Sequence, residues 1–362
     1  MSNSNIYDPM ADYSPGFSEI AFDNVGSYIC FNGRIVETNK SKKKLFDVEN
    51  QADGAACEVI RIVDGTPLFI EDHCERLNES LTYLNAGKKI REKAILAPIP
   101  PLLNANGIKN CNLKIWASVD SSNKINLVYI IKDCLYPPPE YYRNGVPAGL
   151  YAYTRENPNV NRVIPGFSRQ VQSLIKSGGV YELLLYDESQ RMTEGSRSNL
   201  FFTRGERLFT APERIILKGT VRKYVFLAAE RAGIEIVERP VTLEEIGLSP
   251  GSLDRRRAPE GADIGRQRQQ FRVGGKTAHG KSTHGKSAAT PTPGPWPGSA
   301  IASGLPVLSV SGAFITGAPV GVLPISRIGG VRLGSADDPI ISAIRLEYEK
   351  IARAYIDSRA NI

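Results

Sequence analysis

Three short runs in this 362-residue chain carry residue types able to hold a charged ligand. The first is Thr193-Glu194-Gly195-Ser196-Arg197-Ser198-Asn199-Leu200-Phe201-Phe202, which follows the apolar run Leu183-Leu184-Leu185-Tyr186 and an Asp-Glu-Ser turn at 187–189. This pattern predicts a strand, a turn, and a polar loop feeding a second strand. A lone carboxylate among Gly, Ser and Asn on such a loop is placed to touch a ligand. A helix cap or surface turn is the commonplace alternative for Thr-Glu-Gly. The second run is His73-x-x-Arg76-Leu77. On a helix His73 and Arg76 project to one side, and a guanidinium there can grip a phosphate through two parallel hydrogen bonds. A solvated helix face is the ordinary fate of such an arginine. The third is Leu217-Lys218-Gly219-Thr220-Val221-Arg222, at the predicted start of a helix. First-turn N–H groups and the helix dipole make that end an anion seat, and Gly219 lets the backbone approach closely. An ordinary strand-to-helix turn would look similar.

Positioning these residues requires two α/β units. Residues 26–144 read as a small α/β domain: a hairpin around Asn32-Gly33, a strand over 58–63, a turn at Asp64-Gly65, and a returning Leu68-Phe69-Ile70. A helix over 73–85 follows, with Leu77, Leu81 and Leu84 at helical spacing, then strands at 113–118 and 124–131. Pro137-Pro138-Pro139 breaks the chain before a second domain, 145–249 and 310–362. There the pattern predicts helices over 169–177 and 221–232, the latter closed by Gly233. Strands are predicted at 180–186, 199–203, 207–210, 234–238, 313–317 and 320–325. A final helix has Asp338 as cap and Pro339 as its first residue, with a stripe of Ile340, Ile341, Ile344, Tyr348, Ile351, Ala352 and Tyr355.

Residues 1–25 form a polar extension, and 250–309 are a low-complexity basic insertion rich in Arg, Gly, Ser, Thr and Pro. So little apolar material there predicts disorder. Nine basic residues against Glu260 and Asp263 between Arg255 and Lys286 account for the whole net charge of +7. The remaining chain is neutral, which argues against a nucleic-acid partner. The same tract twice satisfies Gly-x4-Gly-Lys-Ser, at 275–282 and 280–287. A phosphate loop needs a strand before and a helix after, and the following Thr-Pro-Thr-Pro forbids the helix. Five scattered cysteines without Cys-x-x-Cys argue for a reducing cytoplasm and against a disulfide framework or a zinc site. No apolar run matches a membrane span, and the N-terminus lacks the pattern of a signal peptide.

The Glu194-Gly195-x-x-x-Asn199 run resembles the signature of class IV aminotransferases, enzymes of fold type IV that use pyridoxal phosphate. So do Val59–Gly65 with Phe69–Leu77, the 217–222 turn, and Phe314-Ile-Thr316-Gly317-Ala318-Pro-Val-Gly-Val-Leu-Pro324. The resemblance covers about 26–249 and 310–362. It implies two α/β domains with the cofactor cleft between them, a homodimer, and amino acid and 2-oxo acid substrates. It also implies the site roles. Glu194 pairs with the pyridinium nitrogen, keeping the ring an electron sink, with Ser198 and Asn199 in the same signature. Arg76 holds the phosphate, and Gly219, Thr220 and Val221 cradle it, with Gly317 beside them. Two positions depart from the pattern. Ala318 replaces a threonine that supplies a phosphate hydroxyl. Asn161, in Asn157-Pro-Asn-Val-Asn161 and 33 residues before Glu194, replaces the Schiff-base lysine.

Two functional classes follow. One is an aminotransferase or lyase of the branched-chain, D-amino-acid or aminodeoxychorismate type, impaired by Asn161. The other is a non-catalytic cofactor-binding or scaffolding homologue. In ordinary members the spacer that here runs from Ile246 to Phe314 is short. An insertion explains its length, and so does an unspliced or frame-shifted stretch.

Overall fold

The computed structural model describes residues 26–38, 55–120, 122–132, 137–162, 164, 167–248 and 310–359. The extension at 1–25, Cys134 and the 250–309 insertion with its two Gly-Lys-Ser matches lie outside the described residues. The chain divides into two units, Met1–Gly247 with Ser309–Ile362, and Leu248–Leu308. Only Leu248 of the second unit is described.

Asn32 and Gly33 both take positive φ, 48° and 82°, the geometry a two-residue hairpin needs to match strand twist. They join β1 (Tyr28–Phe31) to β2 (Arg34–Glu37). Asp64 and Gly65 repeat the device between β3 (Ala56–Val63) and the short β4 (Thr66–Pro67). With β5 (Cys111–Val119) and β6 (Ile125–Lys132) these strands form an antiparallel sheet ordered β2-β1-β6-β5-β3-β4. Alternate residues of β3, Ala56, Glu58, Ile60 and Ile62, are buried. The three apolar ones join a core with Leu77 and Leu81 of α1 (Ile70–Tyr83).

The expected return strand through Leu68–Ile70 does not form. Phe69 turns into the left-handed region (φ 55°, ψ 42°) and starts α1 three residues before the helix start expected at His73. Two further helices, α2 (Glu92–Leu96) and α3 (Ile99–Asn106), were not expected. Pro100 and Pro101 fall in the first turn of α3, where proline is tolerated because its missing N–H is an orphan anyway.

After α4 (Pro139–Asn144), the second sheet comprises β7 (Val146–Ala152), β8 (Glu182–Tyr186), β9 (Met192–Gly195), β10 (Asn199–Arg204), β11 (Arg207–Thr210), β12 (Glu235–Glu238), β13 (Gly312–Gly317), β14 (Gly321–Ile328) and β15 (Val331–Arg332). Its order is β12-β11-β10-β13-β14-β7-β8-β9, with β15 beside β14. The crossover α5 (Phe167–Gly178) links the parallel pair β7 and β8. Helices α6 (Thr220–Ala232) and α7 (Pro339–Arg359) pack on Phe201, Phe314 and Val322. Gly233 closes α6 at φ 67°. Asp338 caps α7, its Oδ1 accepting from Ile340 N (2.9 Å) and Ile341 N (3.2 Å). No helix among the described residues is long and apolar enough to cross a membrane.

Candidate active site

The turn at 217–219 is where the candidate residues meet. Leu217 N donates to Glu194 Oε2 (3.2 Å), and Leu217 O accepts from Asn199 Nδ2 (2.8 Å). Lys218 O accepts from Arg76 Nη1 (2.9 Å). Gly219 then begins α6 without any side-chain cap, so its first-turn donors lack the partner a capping side chain would give. A Cβ at Gly219 would overlap Asn199 Oδ1, so only glycine lets Asn199 lie against this turn. Thr220 and Val221 follow, both buried.

Glu194 stands on β9, not on the expected polar loop. The Asp-Glu-Ser turn at 187–189 is short enough to return the chain antiparallel to β8, which pairs Leu184 with Gly195 and Tyr186 with Met192. Glu194 is 3% exposed, and Arg155 Nε donates to its Oε1 at 2.9 Å. Burial raises the Glu194 pKa, and Arg155 opposes that rise through charge and hydrogen bond. Arg155 escaped the sequence reading. It lies 39 residues from Glu194, and no local pattern connects a post-strand arginine to a distant strand.

Ser196 and Ser198 bind a further residue that the sequence did not single out, the buried acid Glu182. Ser196 Oγ donates to Glu182 Oε1 (2.5 Å) and Ser198 Oγ to Glu182 Oε2 (3.0 Å). Glu182 thus fixes the bend between Glu194 and Asn199, and Ser198 acts there as a positioning group.

Arg76 is not on a solvated face. Its Nε and Nη2 donate to Glu58 Oε1 (2.8 Å) and Oε2 (2.6 Å), a parallel pair, and His73 Nδ1 lies 2.6 Å from the same Oε2. Burial pushes the Glu58 carboxyl up. The Arg76 charge and the hydrogen bonds from His73 and Arg76 outweigh it and hold the group at about 2. The sequence did carry a signal for Glu58. It is an acid in the apolar register of β3, with His73 and Arg76 on the helix that packs there.

Asn161 lies in the same cluster. Its backbone bridges to β3, with Cys57 N donating to Asn161 O at 2.9 Å and Ala56 pairing with Arg162. Its Nδ2 donates to Cys57 O and, at 3.3 Å, to Glu58 Oε1. Asn159, with its amide turned to donate, reaches Glu213 O (3.0 Å) and Ile216 O (3.3 Å), which ties this loop to the central turn. Lys218 lies at the turn, but its ammonium is half exposed and 3.6 Å from Glu213 Oε2. Lys176 is on the last turn of α5.

Gly317 ends β13, and Ala318 follows in the turn toward β14. A Cβ at Gly317 would make only ordinary contact, 3.6 Å from Arg197 O. Thr316 is the register partner of Asn199, and its buried hydroxyl has no partner among the described residues.

The amino-transferase class IV family matches residues 55–249. The chain is 25% identical over 232 residues to a putative branched-chain-amino-acid aminotransferase of Methanocaldococcus jannaschii, covering 60% of this chain and 80% of that protein. It is 22% identical over 241 residues to a D-alanine aminotransferase of Bacillus licheniformis, with the same coverage. Its fold is similar to that of the branched-chain amino acid aminotransferase from Thermobaculum terrenum, solved in its PLP-form. The TM-score is 0.63 at 18% identity, over 92% of this chain and 96% of that one. The chain belongs to the class IV aminotransferase family.

Proposed function

We propose that this chain binds pyridoxal phosphate on the 217–221 turn, and that its amino-group transfer between amino acids and 2-oxo acids is impaired by Asn161. The observation that carries the cofactor reading is convergence. An uncapped helix N-terminus, the Arg76 guanidinium and a buried carboxylate are all bonded to one three-residue turn. A phosphate suits the first two, and a protonated ring nitrogen suits the third. The unpartnered Thr316 hydroxyl, one strand from Asn199, supports the same reading because Ala318 brings none.

When bound, pyridoxal phosphate supplies a ring that stabilises negative charge at a substrate carbon. The protein's own groups do the rest. The α6 amides would hold the phosphate, and Arg76, whose fork is taken by Glu58, would add its charge and the N–H groups left over beside Lys218 O. Glu194, its carboxylate oriented by Arg155 and Leu217 N, holds a proton at the ring nitrogen. The position that must then move the substrate proton is Asn161. An amide has no basic nitrogen, and this one is engaged with Cys57 O and Glu58. That engagement favours a second reading, a non-catalytic homologue kept for binding or assembly. A homodimer belongs to either reading as what the family resemblance implies.

The purified protein is expected to take up pyridoxal phosphate as the free aldehyde and to yield no lysine adduct on borohydride reduction. Asn161→Lys should then raise an amino-donor half-reaction by orders of magnitude. A reduced adduct on Lys218 or Lys176 in the unaltered protein would sink the claim of impairment. A lysine variant that binds the cofactor yet gains nothing would favour the non-catalytic homologue.

A further inference from the structure

Arg76 reaches the 217–219 turn from a helix of the other sheet, so something must set the register of α1 against α6. The first turn of α1 carries the contacts that do this. Asp72 Oδ2 accepts from Tyr224 Oη at 2.7 Å, and Asp72 Oδ1 lies 2.5 Å from Lys223 Nζ. Both partners sit in the opening turns of α6, beside the uncapped end. Asp72 and Arg76 are four residues apart and share a helix face, one turn of about 5.4 Å along the axis.

Phe69 supports the same junction. It holds a left-handed backbone (φ 55°, ψ 42°), a conformation that a non-glycine residue keeps only where its surroundings hold it there. It is buried, stacked on Tyr224 with ring centroids 3.5 Å apart, and edge-on to Tyr355 at 5.0 Å. Tyr355 Oη, from α7, accepts from Ile70 N at 3.1 Å, the capping bond that Phe69 itself does not make.

We propose that Asp72 and Tyr224 are positioning residues that set the reach of Arg76 to the anion seat at the start of α6. The inference rests on the cofactor reading above. Burial, then the Asp72 carboxylate, push the Tyr224 phenol up, so it stays a donor. The two partners of Asp72 are not equal. Lys223 is largely exposed, and exposed ion pairs contribute little, so the phenol carries the register.

The test uses the full-length protein with Tyr224→Phe, Asp72→Ala and Lys223→Met. Dissociation constants are measured for inorganic phosphate, pyridoxal phosphate and pyridoxal, which lacks the phosphate. Tyr224→Phe keeps the stack on Phe69 and removes only the hydroxyl. It and Asp72→Ala are expected to weaken phosphate and pyridoxal phosphate about tenfold, about 1.4 kcal/mol, and to leave pyridoxal unchanged. Lys223→Met should stay within about twofold of the parent. Tyr129→Phe, which removes a buried bond to Ile95 O, serves as a stability control with unaltered affinities. Unchanged phosphate affinity in either main variant overturns the proposal, as does an equal loss for pyridoxal. A parent protein that binds neither phosphate nor pyridoxal phosphate overturns the cofactor reading itself. A parent that binds both, matched by Tyr224→Phe, overturns only the positioning role.

Discussion

Glu58 offers a measurement that reads the site without any ligand. Its carboxyl is 1% exposed and held at about 2, against an ordinary value of 4.5. Each pKa unit corresponds to about 1.4 kcal/mol, so the shift is worth about 3 kcal/mol at neutral pH. The folded value lies below the unfolded one. The stability is therefore present above pH 4.5 and lost as pH falls toward 2. By pH 3 about 1 kcal/mol should remain. Glu58→Gln removes the charge and leaves Arg76 in a buried setting with a neutral partner, as protonation does in the parent. Urea unfolding of both proteins between pH 7 and pH 3 is the assay. The deficit of the glutamine variant should be about 3 kcal/mol at pH 7 and shrink steadily with acid. A deficit that holds constant across the range would refute the reasoning. The bidentate contact would then be packing, and the carboxyl would not titrate below its unfolded value.

Two further outcomes follow from the same geometry. Gly219→Ala, whose methyl group would overlap Asn199 Oδ1, should cost about 1–3 kcal/mol in unfolding and weaken inorganic phosphate; an alanine variant with parental stability and affinity would contradict the close packing. Deleting 252–308 should leave folding and phosphate binding intact, judged by unfolding and calorimetry. Val310 N lies 3.4 Å from Glu245 O, so the flanks already meet, and loop length adds only about 0.6 kcal/mol per doubling.

The sequence exposed what is local in this fold. Asn32-Gly33, Asp64-Gly65 and Gly233 take a backbone conformation that few other residues accept, Asp338 caps its helix with a carboxylate, and each marks a turn or helix end where expected. Arg76, Glu194, Asn199 and Gly219 were visible as residue types, and their meeting at one turn follows from strand order that no local pattern encodes. Arg155 and Glu182 stayed hidden for the same reason. Each acts on a residue reached only after the chain has crossed the sheet. At Phe69 an apolar β-former predicts a strand. Burial against Tyr224 and Tyr355 overrides that propensity and holds it left-handed.

The charges around Asn161 bear on what a lysine there would do. Glu58 is paired with Arg76, and Glu194 with Arg155. These buried acids are neutralised in pairs without any cation at position 161. An ammonium introduced there would approach Glu58 Oε1, which already accepts from Arg76 Nε. The Arg76 charge nearby would oppose it, and burial would oppose it further. Both effects lower a lysine pKa. A lowered pKa leaves more of the lysine as neutral amine, the form that acts as nucleophile and base. Asn161→Lys should therefore show its rate gain already near neutral pH. A gain that appears only in strong alkali would mean that Glu58 holds the new ammonium as an ion pair, and that the pocket has been rebuilt around asparagine.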